Sequence, residues 1–174
     1  MVDTMKVKIS FLLFLLVFGI SFSQSTSELL EIKRIDQYSE KIDSDKNVKM
    51  YKFDIKGKDK ITHYSYQKKG NTIVTLSREW QEKKGDLMYT FSDKFLLENE
   101  NKIFAYQTES WKANDEDEYG WYCRFYIKNN KVFYMPSMGH GKTELDDWDY
   151  EKELKENFNY MLKKVQEKDK TKNK

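Results

Sequence analysis

The sequence predicts an α+β domain: an antiparallel β-meander of about six or seven strands, with an N-terminal and a C-terminal helix packed on one face. Three observations carry this prediction. Apolar residues recur at helical spacing over 26–43, change to a period of two between Val48 and Met135, and return to helical spacing from Leu154. Helix, meander, helix is a two-layer arrangement.

The first helix follows from Leu29, Ile32, Ile35, Tyr38 and Ile42, which lie three or four residues apart and so share one helical face. Ser25 and Glu28 have capping-box spacing at its start, and Asp43-Ser44-Asp45 ends it. Strands then follow as alternating runs: Tyr51, Phe53 and Ile55 between Lys52 and Asp54, then about 61–67, 72–80, 87–97, 103–112, 119–128 and 131–135. Their connectors are Lys69-Gly70-Asn71, Lys84-Gly85-Asp86, Asn99-Glu100-Asn101 and Asn129-Asn130. These are hairpin turns, too short for the crossover that a parallel pair needs. Leu154, Phe158, Met161, Leu162 and Val165 mark the last helix, with Asp147 or Asp149 as N-cap. Residues 168–174 contain no apolar side chain and read as a disordered basic tail.

Residues 1–23 read as an export signal. Lys6 and Lys8 precede the apolar run 11–18, and Ser21 and Ser23 stand third and first before Gln24, the small-residue pattern of a cleavage site. The run is shorter than the roughly 20 apolar residues of a membrane anchor, so no stable anchor is expected after cleavage. The expected organisation is signal 1–23, a single domain 24–167 and the tail, in the periplasm or outside the cell. Within the chain 31 Lys and Arg balance 29 Asp and Glu, which excludes the broad basic footprint of a nucleic-acid binder. Cys123 is the only cysteine, so no internal disulfide can form and stability must come from packing. Twelve Tyr and four Trp supply the large buriable surfaces that a modest aliphatic content lacks.

The apolar signal ending at a Ser-Gln step, the Ile-rich first helix, and the hairpin Phe125-Tyr126-Ile127-Lys128-Asn129-Asn130-Lys131-Val132-Phe133 together resemble small exported proteins of Bacteroidota. That resemblance implies location and fold, and it brings no catalytic residues with it.

Four features could carry chemistry. Gly141-Lys142-Thr143 looks like the end of a phosphate-binding loop, but the glycine required five residues earlier is Pro136, and no strand-loop-helix context surrounds it. His140 sits between two glycines on a loop. Cys123 alternates with Trp121, Phe125 and Ile127 on one strand face, which makes it a core thiol rather than a nucleophile. Two acidic sets, 114–118 and Glu144, Asp146, Asp147 and Asp149, offer oxygens to a hard cation but lack the alternating ligands and turn glycine of a calcium loop. No metal, cofactor or catalytic residue is therefore assigned.

The aromatic excess points to binding. Alternation turns Tyr122 and Tyr126 outward beside Arg124, and neighbouring strands add Tyr64, Tyr66 and Trp111. Rigid rings on a sheet can stack on a sugar or anchor a protein. The expected function is a non-enzymatic binding or inhibitor-like domain for a protein or glycan. The alternative is a small secreted hydrolase using the loop carboxylates and His140. Intact-mass analysis of protein from the native host should give a chain beginning at Gln24, within a residue or two. A species retaining 11–18 would overturn the export reading.

Overall fold

The computed structural model describes residues 26–112 and 119–172. The signal segment and the acidic stretch 114–118 lie outside the described residues. Helix α1 spans 26–44. Of its apolar stripe Ile35 and Ile42 are buried, while Leu29 is exposed. The Ser44 hydroxyl donates to Glu40 O (2.8 Å) at its C-terminus, and Asp45 pairs with Lys69 at 2.7 Å just beyond.

The sheet comprises β1 (Val48–Lys56), β2 (Ile61–Lys69), β3 (Thr72–Lys84), β4 (Leu87–Glu98), β5 (Asn101–Lys112), β6 (Tyr119–Lys128), β7 (Lys131–Tyr134) and β8 (Ser137–Gly139). Strands β1 to β7 neighbour one another in chain order and every pair is antiparallel, as the short connectors require. Asn99-Glu100 and Asn129-Asn130 have φ of 50°, 66°, 52° and 61°. Two consecutive left-handed residues make the type I′ turn that matches strand twist. The short β8 also pairs with β6, at Trp121 to Cys123, so β7 and β8 follow one another along the same edge. Pro136 falls between them, at an edge where its missing N–H costs no ladder bond, and its carbonyl accepts from Arg124 N (3.0 Å).

Helix α2 (Tyr150–Lys172) is capped by Asp149, whose carboxylate accepts from Lys152 N (3.0 Å). It runs across the strands. Near its start Glu151 accepts from Val132 N on β7, and near its end Asp169 accepts from the Tyr66 hydroxyl and pairs with Lys68 on β2. Leu154, Phe158, Met161 and Val165 pack on Tyr66, Leu76, Phe95, Ala105 and Phe125 to form a dry core. Phe158 meets Phe95 edge-on, with centroids 5.5 Å apart.

The expected tail is corrected by this geometry. Residues 168–172 continue the helix, because Asp169 has the same inward spacing as Val165 and finds buried donors there. Phe158→Ala is expected to lower stability by about 3–5 kcal/mol, and Asp169→Ala by about 1–3 kcal/mol through the orphaned Tyr66 hydroxyl. Denaturant titration of both variants checks this. No loss for Asp169→Ala would mean that the last turns of α2 are undocked.

Candidate functional site

Cross-strand register sorts the helix-bearing face into rows. The row under α2 is apolar: Tyr51, Tyr66, Leu76, Phe95, Ala105 and Phe125. The next reads Phe53, Tyr64, Arg78, Asp93, Gln107 and Cys123. Its middle is polar. The third holds Trp80, Phe91, Glu109 and Trp121, and the fourth holds Glu82, Tyr89 and Trp111.

The polar row is closed by the start of α2. Arg78 donates from Nε (2.7 Å) and Nη2 (2.6 Å) to Asp93 Oδ2, with both side chains largely buried. Gln107 Nε2 donates to Asp93 Oδ1 (2.9 Å) and to Glu153 Oε1 (3.2 Å). Glu153 also accepts from Lys142 (2.5 Å) and from the Trp148 indole (2.7 Å). Burial pushes the Glu153 carboxyl up, but the hydrogen bonds from Lys142, Trp148 and Gln107 outweigh it and leave the group below the usual glutamate range. Gln107 is 3% exposed, and its Oε1 has no hydrogen-bond partner.

Beyond this seam the rings form a ladder. Trp80 stacks on Phe91 (5.1 Å), Phe91 on Tyr89 (6.1 Å), and Tyr89 on Trp111 (5.9 Å), with planes within 30° of parallel. All four rings are half-buried. Arg78, Trp80, Phe91, Trp121, Lys142 and Glu153 line a cavity of about 330 Å³ between the ladder and the seam.

The loop 139–144 closes one wall of the cavity. A side chain at Gly141 would put Cβ 2.5 Å from the Trp121 ring, and one at Gly139 (φ 85°) would meet Gly120 O at 2.0 Å. The glycines therefore serve close approach to β6. Lys142 is committed to Glu153, and the Thr143 hydroxyl accepts from the Trp121 indole (3.0 Å). The phosphate-loop resemblance has no counterpart in this arrangement.

The residues expected to form an outward aromatic face do not come together. Tyr64 and Tyr66 are 3% and 1% exposed and lie in the core on the helix-bearing side. Tyr126 does point the other way, as alternation requires, but is 3% exposed among Phe104, Phe133 and Tyr134. Trp111 belongs to the ladder, opposite Tyr122. Of the six, Tyr122 (half-buried, its hydroxyl 3.5 Å from Met138 Sδ) and Arg124 (exposed) keep the expected direction with access to solvent. The seam residues Arg78, Asp93, Gln107 and Glu153 were not singled out by the sequence. Their only signal there is polar identity at positions whose strand parity faces the core.

His140 is 89% exposed on its side chain and pairs with Glu144 (2.6 Å). His63 pairs across strands with Asp54 (2.8 Å), also exposed. Among the described residues no group of three or more His, Cys, Asp or Glu converges as metal ligands, and no helix is long and apolar enough to cross a membrane. Scanned against protein-family models, curated proteins and solved structures, the chain matches none.

Cys123 is fully buried, and burial pushes its thiol from 9.0 up to about 12. The folded state thus keeps the thiol neutral where the unfolded state ionises it. The resulting stability is intact below pH 9 and is lost as pH rises toward 12. Cys123→Ala is expected to flatten that alkaline limb in pH-dependent denaturation, and the wild-type thiol should label slowly until denaturant is added. Rapid native labelling would contradict the buried placement.

Proposed function

We propose that the protein is an exported, non-enzymatic binding domain whose working surface is the aromatic end of the helix-bearing face. The observation that carries this reading is the ladder itself. Four large rings stay half-exposed on the face whose other end is a dry core, although closing over them would release more apolar area from water. All four tryptophans of the chain, Trp80, Trp111, Trp121 and Trp148, belong to this face. Rings of this size anchor interfaces because they offer area at small entropic cost. Export is supported by the order of Lys6 and Lys8, the apolar run and Ser21-x-Ser23.

The hydrolase alternative is weaker on chemical grounds. Acid-base hydrolysis by two carboxyls needs one of them protonated near neutral pH. In the cavity Asp93 is paired with Arg78, and Glu153 is paired with Lys142 and held below its ordinary range. His140 and His63 each face a carboxylate at the surface.

The test compares immobilised wild type with three variants on host envelope and culture fractions. Tyr89→Ala combined with Trp111→Ala is expected to weaken retention by about thirtyfold for each ring that acts as a hot spot, roughly 2 kcal/mol apiece. Tyr122→Ala, on the opposite face, should be silent. Retention lost in Tyr122→Ala alone would move the surface to that face, and a turnover abolished by His140→Ala would make the protein an enzyme.

A further inference from the structure

At the end of β5 away from the aromatic ladder, and independently of it, we propose that a second cavity binds the phosphate group of a phosphate monoester, held between Lys102 of β5 and Lys155 of α2.

A bulge aims Lys102 into this place. Leu96 pairs with Phe104 and Leu97 with Lys102, so Ile103 is an extra residue on β5. Strict alternation from Ala105 would have left Lys102 on the side of Phe104, away from α2. The bulge brings it round to the side of Leu97, where its Nζ lies 4.8 Å from the centre of the Phe158 ring. A second bulge, at Phe133, sets Val132 opposite Ile127. Ile127 and Val132 wall a cavity of about 670 Å³, to which Lys102, Lys155, Asn130 and Asn159 supply donors. Lys155 and Asn159 stand four residues apart on α2 and so share one side of the helix.

Two ammonium groups without a counter-ion call for an anion. Among the described residues no carboxylate forms an ion pair with Lys102, Lys152 or Lys155. Burial, and then the Lys155 ammonium, hold the half-buried Lys102 amine below the usual lysine range. A bound dianion offsets both effects, since it replaces lost water and screens one cation from the other. Lys152 and two acids also line the cavity, and each acid already holds a backbone N–H: Asp149 that of Lys152, Glu151 that of Val132. Near neutral pH a phosphate monoester carries almost two negative charges on three terminal oxygens. That matches Lys102 and Lys155 and leaves an oxygen for an asparagine amide. A carboxylate brings one charge in a plane and is better met by the fork of an arginine, and among the described residues no arginine lines this cavity. The apolar wall receives the carbon part of the ester.

The experiment follows the ε-carbon signals of the lysines by carbon-13 NMR of the full chain, from about pH 8 to 11 so as to span the lysine titration. Lys102→Met identifies the Lys102 signal and keeps an apolar stem on Phe158. Glycerol phosphate is expected to shift the Lys102 and Lys155 signals to saturation and to raise the Lys102 pKa, because a bound dianion favours the ammonium. Lys155→Gln should raise the Lys102 pKa in the absence of ligand, and each variant should weaken glycerol phosphate by about tenfold or more. Methyl sulfate and acetate, with one charge each, should bind about tenfold more weakly, and an equal response to either would overturn the phosphate assignment. Phosphatidylcholine vesicles containing phosphatidic acid separate a lipid headgroup from a soluble ester. Vesicle retention that both variants lose, without a response to glycerol phosphate, assigns the headgroup. A response to glycerol phosphate, with vesicle retention no greater than that of the variants, assigns a soluble ester. No response to either probe, or one that both variants keep, would overturn the site and leave Lys102 as a packing residue on Phe158.

Discussion

A part-buried chain of ion pairs and hydrogen bonds, Arg78–Asp93–Gln107–Glu153–Lys142, sets the plan of this domain. It joins β3, β4, β5, the turn at 142–144 and the first turns of α2. Charges leave water only at a cost, and a buried pair is tolerated where each member keeps its partners. Removing Asp93 would take away the ion-pair partner of Arg78, and removing Glu153 that of Lys142. The chain therefore fixes where α2 begins on the sheet, and the helix direction follows from the second anchor, Asp169 with Tyr66 and Lys68.

The seam divides one sheet face into two environments. On one side α2 covers the apolar row and the core is dry, which is why Cys123 is a packing residue with a suppressed thiol. On the other side the long strands β3, β4 and β5 run on beyond the helix, and their inward positions are filled by Trp80, Phe91, Tyr89 and Trp111. Aromatic and β-compatible side chains suit such positions, because rings stack across strands and hold a register without a covering layer. The same rings leave part of their surface to solvent. A domain that needed only stability could carry Thr or Lys there.

Much of the fold was legible in the sequence because it depends on local chemistry. Period-two alternation found the strands, Asn-Asn and Gly-Asp placed the turns, and Asp149 was one of two expected caps. Alternation also put Cys123 inward on the strength of Trp121, Phe125 and Ile127 within one strand. The candidate site was less legible, because it depends on relations between strands. Register shifts at Gln67/Lys68, Leu96/Leu97 and Tyr126/Ile127 change which face a side chain meets, and alternation within one strand carries no trace of its neighbour's parity. Tyr64 and Tyr66 were therefore grouped with Tyr122 when they share the face of Cys123. Arg78, Asp93 and Gln107 were not singled out because their partners stand 14 or more positions away. Asp169, in a stretch without apolar residues, looked like solvent-exposed tail until Tyr66 was placed beneath it.

The central claim is that the seam leaves an accessible aromatic end that binds. The four indole N–H groups report on it directly, since Trp80 and Trp111 lie beyond the seam while Trp148 is held by Glu153 at it. Nitrogen-15 spectra of the protein, titrated with the partner captured from host envelope or culture fractions, should show the Trp80 and Trp111 signals moving with saturation while Trp148 moves least. Indole signals that stay fixed through saturation, or shifts centred on the amides of Tyr122 and Arg124, would contradict the account.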